Sequence, residues 1–173
     1  MKAFHCHCGA PVFFDNHQCL QCESSIGFDP QIAAFVPLDL SLEGSSLNHG
    51  VLCDNGVQFG VCNWVRPRDG GRNLCVARQF NRTIPNLALD DNIKYWMALE
   101  HAKRRLIFTL MVLKLPLQNG WDAPGTGLLF DFLDDERSKP DQFPDTFVTS
   151  GHSDGLITVN VLEANDIARA TMQ

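Results

Sequence analysis

The chain has 173 residues, of which 45% are apolar and 20% charged, and a net charge of −6. That is enough for one good core, or for a small module plus a domain, and it is neither a disordered nor a collagen-like composition. No stretch reaches the roughly 18 uncharged apolar residues of a membrane span, and Met1-Lys2-Ala3-Phe4-His5-Cys6 has no apolar signal core, so a cytoplasmic protein without a membrane segment is expected.

Charge is unevenly spread. Arg66, Arg68, Arg72, Arg78 and Arg82 face the single acid Asp69 between Cys62 and Arg82, whereas from Gly120 onward ten acids face three bases. An acidic protein is a poor general binder of phosphate backbones. The arginine stretch, with Trp64 and Phe80 as stacking rings, keeps open a reading as a zinc-ribbon adaptor for RNA or for a protein partner.

All seven cysteines lie before residue 76. An odd number without a secretory signal argues against a disulfide framework and for metal ligation. In residues 1–30, Cys6-His7-Cys8-Gly9 and Cys19-Leu20-Gln21-Cys22 form two short knuckles ten residues apart. Each tight turn aims two thiolates at one point, and four thiolates at about 2.3 Å complete the closed tetrahedral shell of structural zinc. The plain alternative is four small buried hydrophobes. Iron in a rubredoxin-like shell would use the same Cys6, Cys8, Cys19 and Cys22. His5, His7 and His17 are alternative donors for which four thiolates leave no vacancy.

Residues 31–88 read as short strands and loops carrying Cys53, Cys62 and Cys75. A second metal site there needs a fourth ligand, with His49, Asp54 or water as candidates, and three unlinked core cysteines as the alternative. Residues 89–173 change character. Asp90 or Asp91 caps a helix that Pro116 stops, over 90–115. Tyr95, Leu99, Ala102, Leu106, Leu110 and Leu113 mark its apolar face, with Glu100 and Arg104 on the polar side. Leu128 to Leu133 reads as a strand or short helix, and an acidic loop runs from Asp134 to Asp145. Thr146–Thr149 and Leu156–Asn160 read as a hairpin around a turn at 150–155, and a further helix starts at Glu163. His101 reads as a surface histidine, and His152 as a turn residue beside Asp154, with a catalytic dyad as the alternative. There is no Gly-x-Ser-x-Gly elbow, P-loop, dinucleotide fingerprint or His-Glu-x-x-His pair, so no catalytic residue is assigned.

Phe4-His5-Cys6-His7-Cys8-Gly9 and Cys19-Leu20-Gln21-Cys22 resemble the N-terminal zinc ribbon of a family of bacterial zinc-binding metallopeptidases. Val61-Cys62-Asn63-Trp64, Asn81-Arg82-Thr83-Ile84-Pro85, Ala102-Lys103-Arg104-Arg105-Leu106, Phe130-Asp131-Phe132-Leu133 and Gly151-His152-Ser153-Asp154-Gly155-Leu156-Ile157-Thr158 match in the same order. The resemblance implies an α+β chain, a β-rich metal-stapled ribbon followed by an incomplete zincin-like domain, with zinc-dependent peptide hydrolysis as the activity of the complete architecture. The family carries a further cysteine three residues after the position of Cys75, completing a second set; here Arg78 stands there. Its His-Glu-x-x-His helix follows the Glu-Ala-Asn-Asp segment, and this chain ends at Gln173 before it. The expectation is one structural zinc, a chain catalytically silent by itself, and exposed apolar surface covered by a partner or a second copy.

Overall fold

Strands of two residues open the chain, too short to hold a hairpin by hydrogen bonds alone. The computed structural model describes residues 3–38, 50–67, 73–89, 91–134 and 148–171. Within these, helices and small sheets are mixed, and the chain divides into two compact units, 1–76 and 77–173. The candidate ligand His49, together with Arg68, Asp69, Arg72, Asp90 and most of the acidic loop, lies outside the described residues.

In the first unit, β1 (Phe4–His5) pairs antiparallel with β2 (Pro11–Val12), and β3 (Ile26–Asp29) with β4 (Ala34–Pro37). Their inward side chains build one aromatic core. Phe4, Phe14, Phe28 and Phe35 meet at centroid separations of 5.2 to 5.9 Å, mostly edge to face, the arrangement aromatic quadrupoles favour. Trp64, fully buried, joins Phe28 at 5.3 Å. The ribbon and the segment after it therefore share a core. A short helix, α1 (Asp54–Phe59), ends at Gly60, whose φ of 68° gives the left-handed stop. It interrupts a region expected to hold only strands and loops.

The second unit begins in a 3-10 turn, Val76–Phe80, that leads into β5 (Asn81–Thr83). Helix α2 (Asn92–Val112) then connects to β6 (Leu129–Leu133), followed by β7 (Gly151–Ser153) and β8 (Leu156–Asn160). The sheet order is β5-β6-β8-β7, with the first three strands parallel and β7 antiparallel at the edge. A 3-10 turn, Val161–Ala164, and α3 (Asp166–Thr171) follow.

Two local expectations shift. The hairpin is tighter than the spacing suggested: β7 falls in the segment assigned to the turn, and Val148 and Thr149 are outside any strand. Asp154 and Gly155 both have positive φ, 49° and 81°, which closes a two-residue hairpin turn and sets Ser153 opposite Leu156. A side chain at Gly155 would meet the Gly127 carbonyl oxygen as well.

The larger shift is in α2. The 21-residue helix matches the expected span, and Asp91 stands at its N-cap, though with φ of 64° and no side-chain capping bond. The face expected to be apolar is half-exposed, with Leu106 and Leu113 open to solvent. The buried stripe is Asn92, Trp96, Glu100, Lys103, Arg104 and Ile107, which includes both residues placed on the polar side. For Glu100 and Lys103 the reason is a shared polar network. Glu100 accepts from Trp96 Nε1 at 3.1 Å, from Lys103 Nζ at 2.9 Å and from Asn81 Nδ2, while Lys103 also donates to Asn81 Oδ1. The Lys103 ammonium sits 5.5 Å from the Phe132 ring centroid and 5.9 Å from that of Phe130. On the other face of β6, Asp131 accepts a two-pronged contact from Arg82, locking β5 to β6.

Burial pushes the Glu100 carboxyl up, but the Lys103 charge and the donated hydrogen bonds outweigh it and hold it below the usual carboxylate range. A depressed folded-state pKa gives stability that is present above the unfolded value and lost as pH falls through the folded one. Unit 77–173 should therefore lose stability on acidification below about pH 4, the unperturbed carboxylate value. Glu100→Ala, which leaves Lys103 buried and unpaired, should cost about 3–5 kcal/mol in urea unfolding at neutral pH and flatten that acid limb.

Candidate metal centres

The first knuckle is shaped by its backbone. The Cys6 amide donates to the Ala10 carbonyl at 2.8 Å and the Gly9 amide to the Cys6 carbonyl at 2.9 Å, a turn that puts Gly9 at φ 86°. In the second, the Glu23 amide donates to the Cys19 carbonyl at 2.9 Å, with Glu23 itself left-handed at φ 59°. These turns point four sulfurs inward. Cys6 Sγ lies 3.7 Å from Cys22 Sγ, Cys8 Sγ lies 3.7 Å from Cys19 Sγ, and all four are within 4.8 Å of one another. Four sulfurs at about 2.3 Å from one tetrahedral ion stand about 3.8 Å apart. Two of the six edges are close to that length, and the others stay within 4.8 Å.

The sulfurs differ in environment. Cys6 and Cys19 are buried, Cys8 is exposed and Cys22 is half-buried. Desolvation pushes the Cys6 thiol up to about 12. Hydrogen bonding from the Ser24 hydroxyl, and then from its amide, brings Cys22 down to about 6. A cation binding as a thiolate complex displaces whatever protons the sulfurs still carry. His5, His7 and His17 are exposed, as expected of hairpin histidines, and none belongs to the cluster.

Asn63 ties this hairpin down. It is fully buried, and its Nδ2 donates to the Phe14 carbonyl at 2.7 Å and the Asn16 carbonyl at 3.1 Å. The string Cys62-Asn63-Trp64 thus supplies a sulfur, a clamp on the ribbon and a core ring from three consecutive residues. Nothing in the spacing pointed to the role of Asn63; only the position between a cysteine and a tryptophan set it apart.

Cys53, Cys62 and Cys75 also converge. All are buried, Cys62 Sγ lies 3.6 Å from Cys75 Sγ, and the three sulfurs are within 4.8 Å of one another. The Cys75 amide points at Cys53 Sγ and the Trp64 amide at Cys62 Sγ, each at 3.5 Å. Hydrogen bonds from the Cys62 and Cys75 sulfurs hold Cys53 down at about 2, and the same contacts push Cys75 up. Asp54 heads α1 next to Cys53, but its carboxylate is not in the cluster. Among the described residues no fourth donor joins these three.

The remaining sequence candidates stay apart. His101 is half-buried on α2, and His152 is exposed on β7, where it pairs across the sheet with Ile157. Asp154 engages Ser153 Oγ at 3.1 Å. Trp64 and Phe80, the rings offered for base stacking, are both buried in the protein.

Comparison with known proteins agrees with this geometry. A family model described as a zinc-ribbon domain matches residues 3–89, and one described as "Putative zinc-binding metallo-peptidase" matches residues 92–173. The chain belongs to the zinc-ribbon domain family, and its second half is similar to the metallo-peptidase model. Uncharacterized proteins of Mycobacterium bovis and of two strains of Mycobacterium tuberculosis are 31% identical over 176 residues. That covers 100% of this chain but 47% of each relative, so the chain spans about half the length of the curated relatives it matches. No solved structure matches the chain significantly.

Asn63→Ala should strip a partner from two carbonyls of the hairpin and cost about 1–3 kcal/mol. Denaturant unfolding gives the loss. Faster amide exchange confined to residues 13–18 locates it, and exchange that rises evenly across the first unit would contradict the clamp.

Proposed function

We propose that Cys6, Cys8, Cys19 and Cys22 hold one structural zinc ion, and that peptide hydrolysis, as an activity of the whole protein, is not carried out by the residues described in this chain. The observation that carries this reading is the convergence of four sulfurs within 4.8 Å of one another, two pairs of them 3.7 Å apart, close to the edge of a zinc tetrahedron. When bound, zinc supplies a closed cross-link between the knuckles, and its four positions are all taken by protein. Hydrolysis at a metal needs a free position for water and a neighbouring base. Among the described residues the only groups of three or more such donors are the two cysteine sets, and neither includes His101 or His152.

The setting follows from the same chemistry. Seven cysteines, four of them grouped in one metal-sized cluster, suit the reducing cytoplasm, and no described helix is long and apolar enough to cross a membrane. Leu106, Val112, Leu113 and Leu115 are exposed along and just after α2, an apolar surface suited to a protein partner or a second copy of the chain.

Metal analysis of purified protein should give one zinc per chain, bound through four sulfurs; iron in its place would change the ion but not the site. Structural zinc contributes folding free energy on the order of 10 kcal/mol in small peptides, so a strong chelator should unfold the hairpin and Cys19→Ser should prevent metal uptake. A metal-free preparation with an ordered ribbon would sink the assignment. With zinc added, cleavage of a generic protein substrate should stay at background. Zinc-dependent cleavage abolished by His152→Ala would place the chemistry on β7 instead.

A second expectation concerns association. Light scattering should report an assembly larger than one chain, and Leu106→Glu with Leu113→Glu should return it to the monomer. A monomer at every concentration, before substitution, would leave self-association without support.

A further inference from the structure

Among the described residues the second cysteine cluster offers three sulfurs where the first offers four. Three thiolates around a zinc ion leave a net charge of −1 and one coordination position open. No described histidine or carboxylate reaches that position, and Asp54, next in sequence, stays outside. The sulfurs are 0%, 4% and 0% exposed for Cys53, Cys62 and Cys75, so a net charge on the filled site would be buried and costly.

Three observations define what would fit. The sulfurs are close enough to share one atom at an ordinary bond length of about 2.3 Å, with Cys62 and Cys75 already 3.6 Å apart. Their positions are held by amides that point at them, from Trp64 and from Cys75 itself. Among the described residues the number of donors is three, and all three cysteines are buried. A soft element that is complete with three sulfurs, and neutral once bound, meets all of these.

We propose that Cys53, Cys62 and Cys75 form a closed three-sulfur site for a trivalent thiophilic element presented as its neutral hydroxide, with arsenous acid as the probe. Three arsenic–oxygen bonds break and three arsenic–sulfur bonds form. Each thiol hydrogen leaves with one hydroxyl as water, and a sulfur that is already ionised releases hydroxide in place of water. Arsenic stays trivalent throughout and nothing is oxidised or reduced. The product carries no net charge and needs no fourth donor. The incoming hydroxide is uncharged too, so it enters through local openings of the unit without the desolvation cost of an ion.

This site is separate from the proposed zinc at Cys6, Cys8, Cys19 and Cys22, and the experiment keeps the two apart. The zinc-loaded 173-residue chain is incubated with sodium arsenite under a phosphine reductant, and followed by native mass spectrometry, thiol titration after rapid unfolding, and X-ray absorption at the arsenic edge. The expected result is one arsenic per chain, a mass gain of one arsenic less three hydrogens, three arsenic–sulfur bonds without oxygen, and zinc retained. Cys53→Ser and Cys75→Ser should each abolish three-sulfur binding. The absorption measurement on the unsubstituted chain decides the matter if these variants fail to fold. Arsenic with fewer than three sulfur neighbours, uptake matched by zinc release, or a second tightly held zinc with four protein ligands in the purified chain would each overturn the proposal. The last of these would leave the reading of the first cluster standing.

Discussion

Everything in the first unit depends on four sulfurs being brought within one ion's reach of each other. A two-residue strand pair has almost no ladder to hold it, and a module of this size buries little surface for its length. The aromatic core formed by Phe4, Phe14, Phe28, Phe35 and Trp64 supplies the apolar side, while the knuckles bring together sulfurs that a bound zinc ion would cross-link. Backbone geometry, with Gly9 and Glu23 both left-handed, makes the knuckles; sulfur chemistry makes them worth holding.

The second unit solves a different problem. Its longest helix buries charged groups rather than leucines, and tolerates Glu100 and Lys103 there because the two pair with each other. Glu100 is surrounded by donors from Asn81, Trp96 and Lys103, and Lys103 rests against the Phe130 and Phe132 rings. Such a network is more directional than an apolar contact. It sets the rotation of α2 about its axis and, together with the Arg82–Asp131 contact, the pairing of β5 with β6. The cost is an apolar surface left turned toward solvent.

Several sequence strings that stood out only by resemblance acquire physical roles in this frame. Asn81-Arg82-Thr83 and Phe130-Asp131-Phe132 are facing strands, whose alternation sends Asn81 and the two phenylalanines toward α2 and joins Arg82 to Asp131 on the opposite face. Asp154-Gly155 is a turn whose two positive φ values require those residue types. The edge strand β7 follows from that turn, which is why the hairpin is shorter than a reading by β-propensity alone expected.

The sequence by itself determined the mixed α+β character, the helix near residues 90–115, and the grouping of Cys6, Cys8, Cys19 and Cys22. Each of these is carried by local spacing: a helical period, a stop at proline, and two cysteine pairs whose turns leave the sulfurs one way to point. Tertiary structure decided the rest. Which face of α2 is buried depended on whether Glu100 and Lys103 find partners on β5 and β6, and a period of apolar residues cannot report that. The convergence of Cys53, Cys62 and Cys75, and the clamp made by Asn63, join residues with no local spacing in common. Only the folded chain brings such residues together, because the contacts that place them are made between segments and not along them.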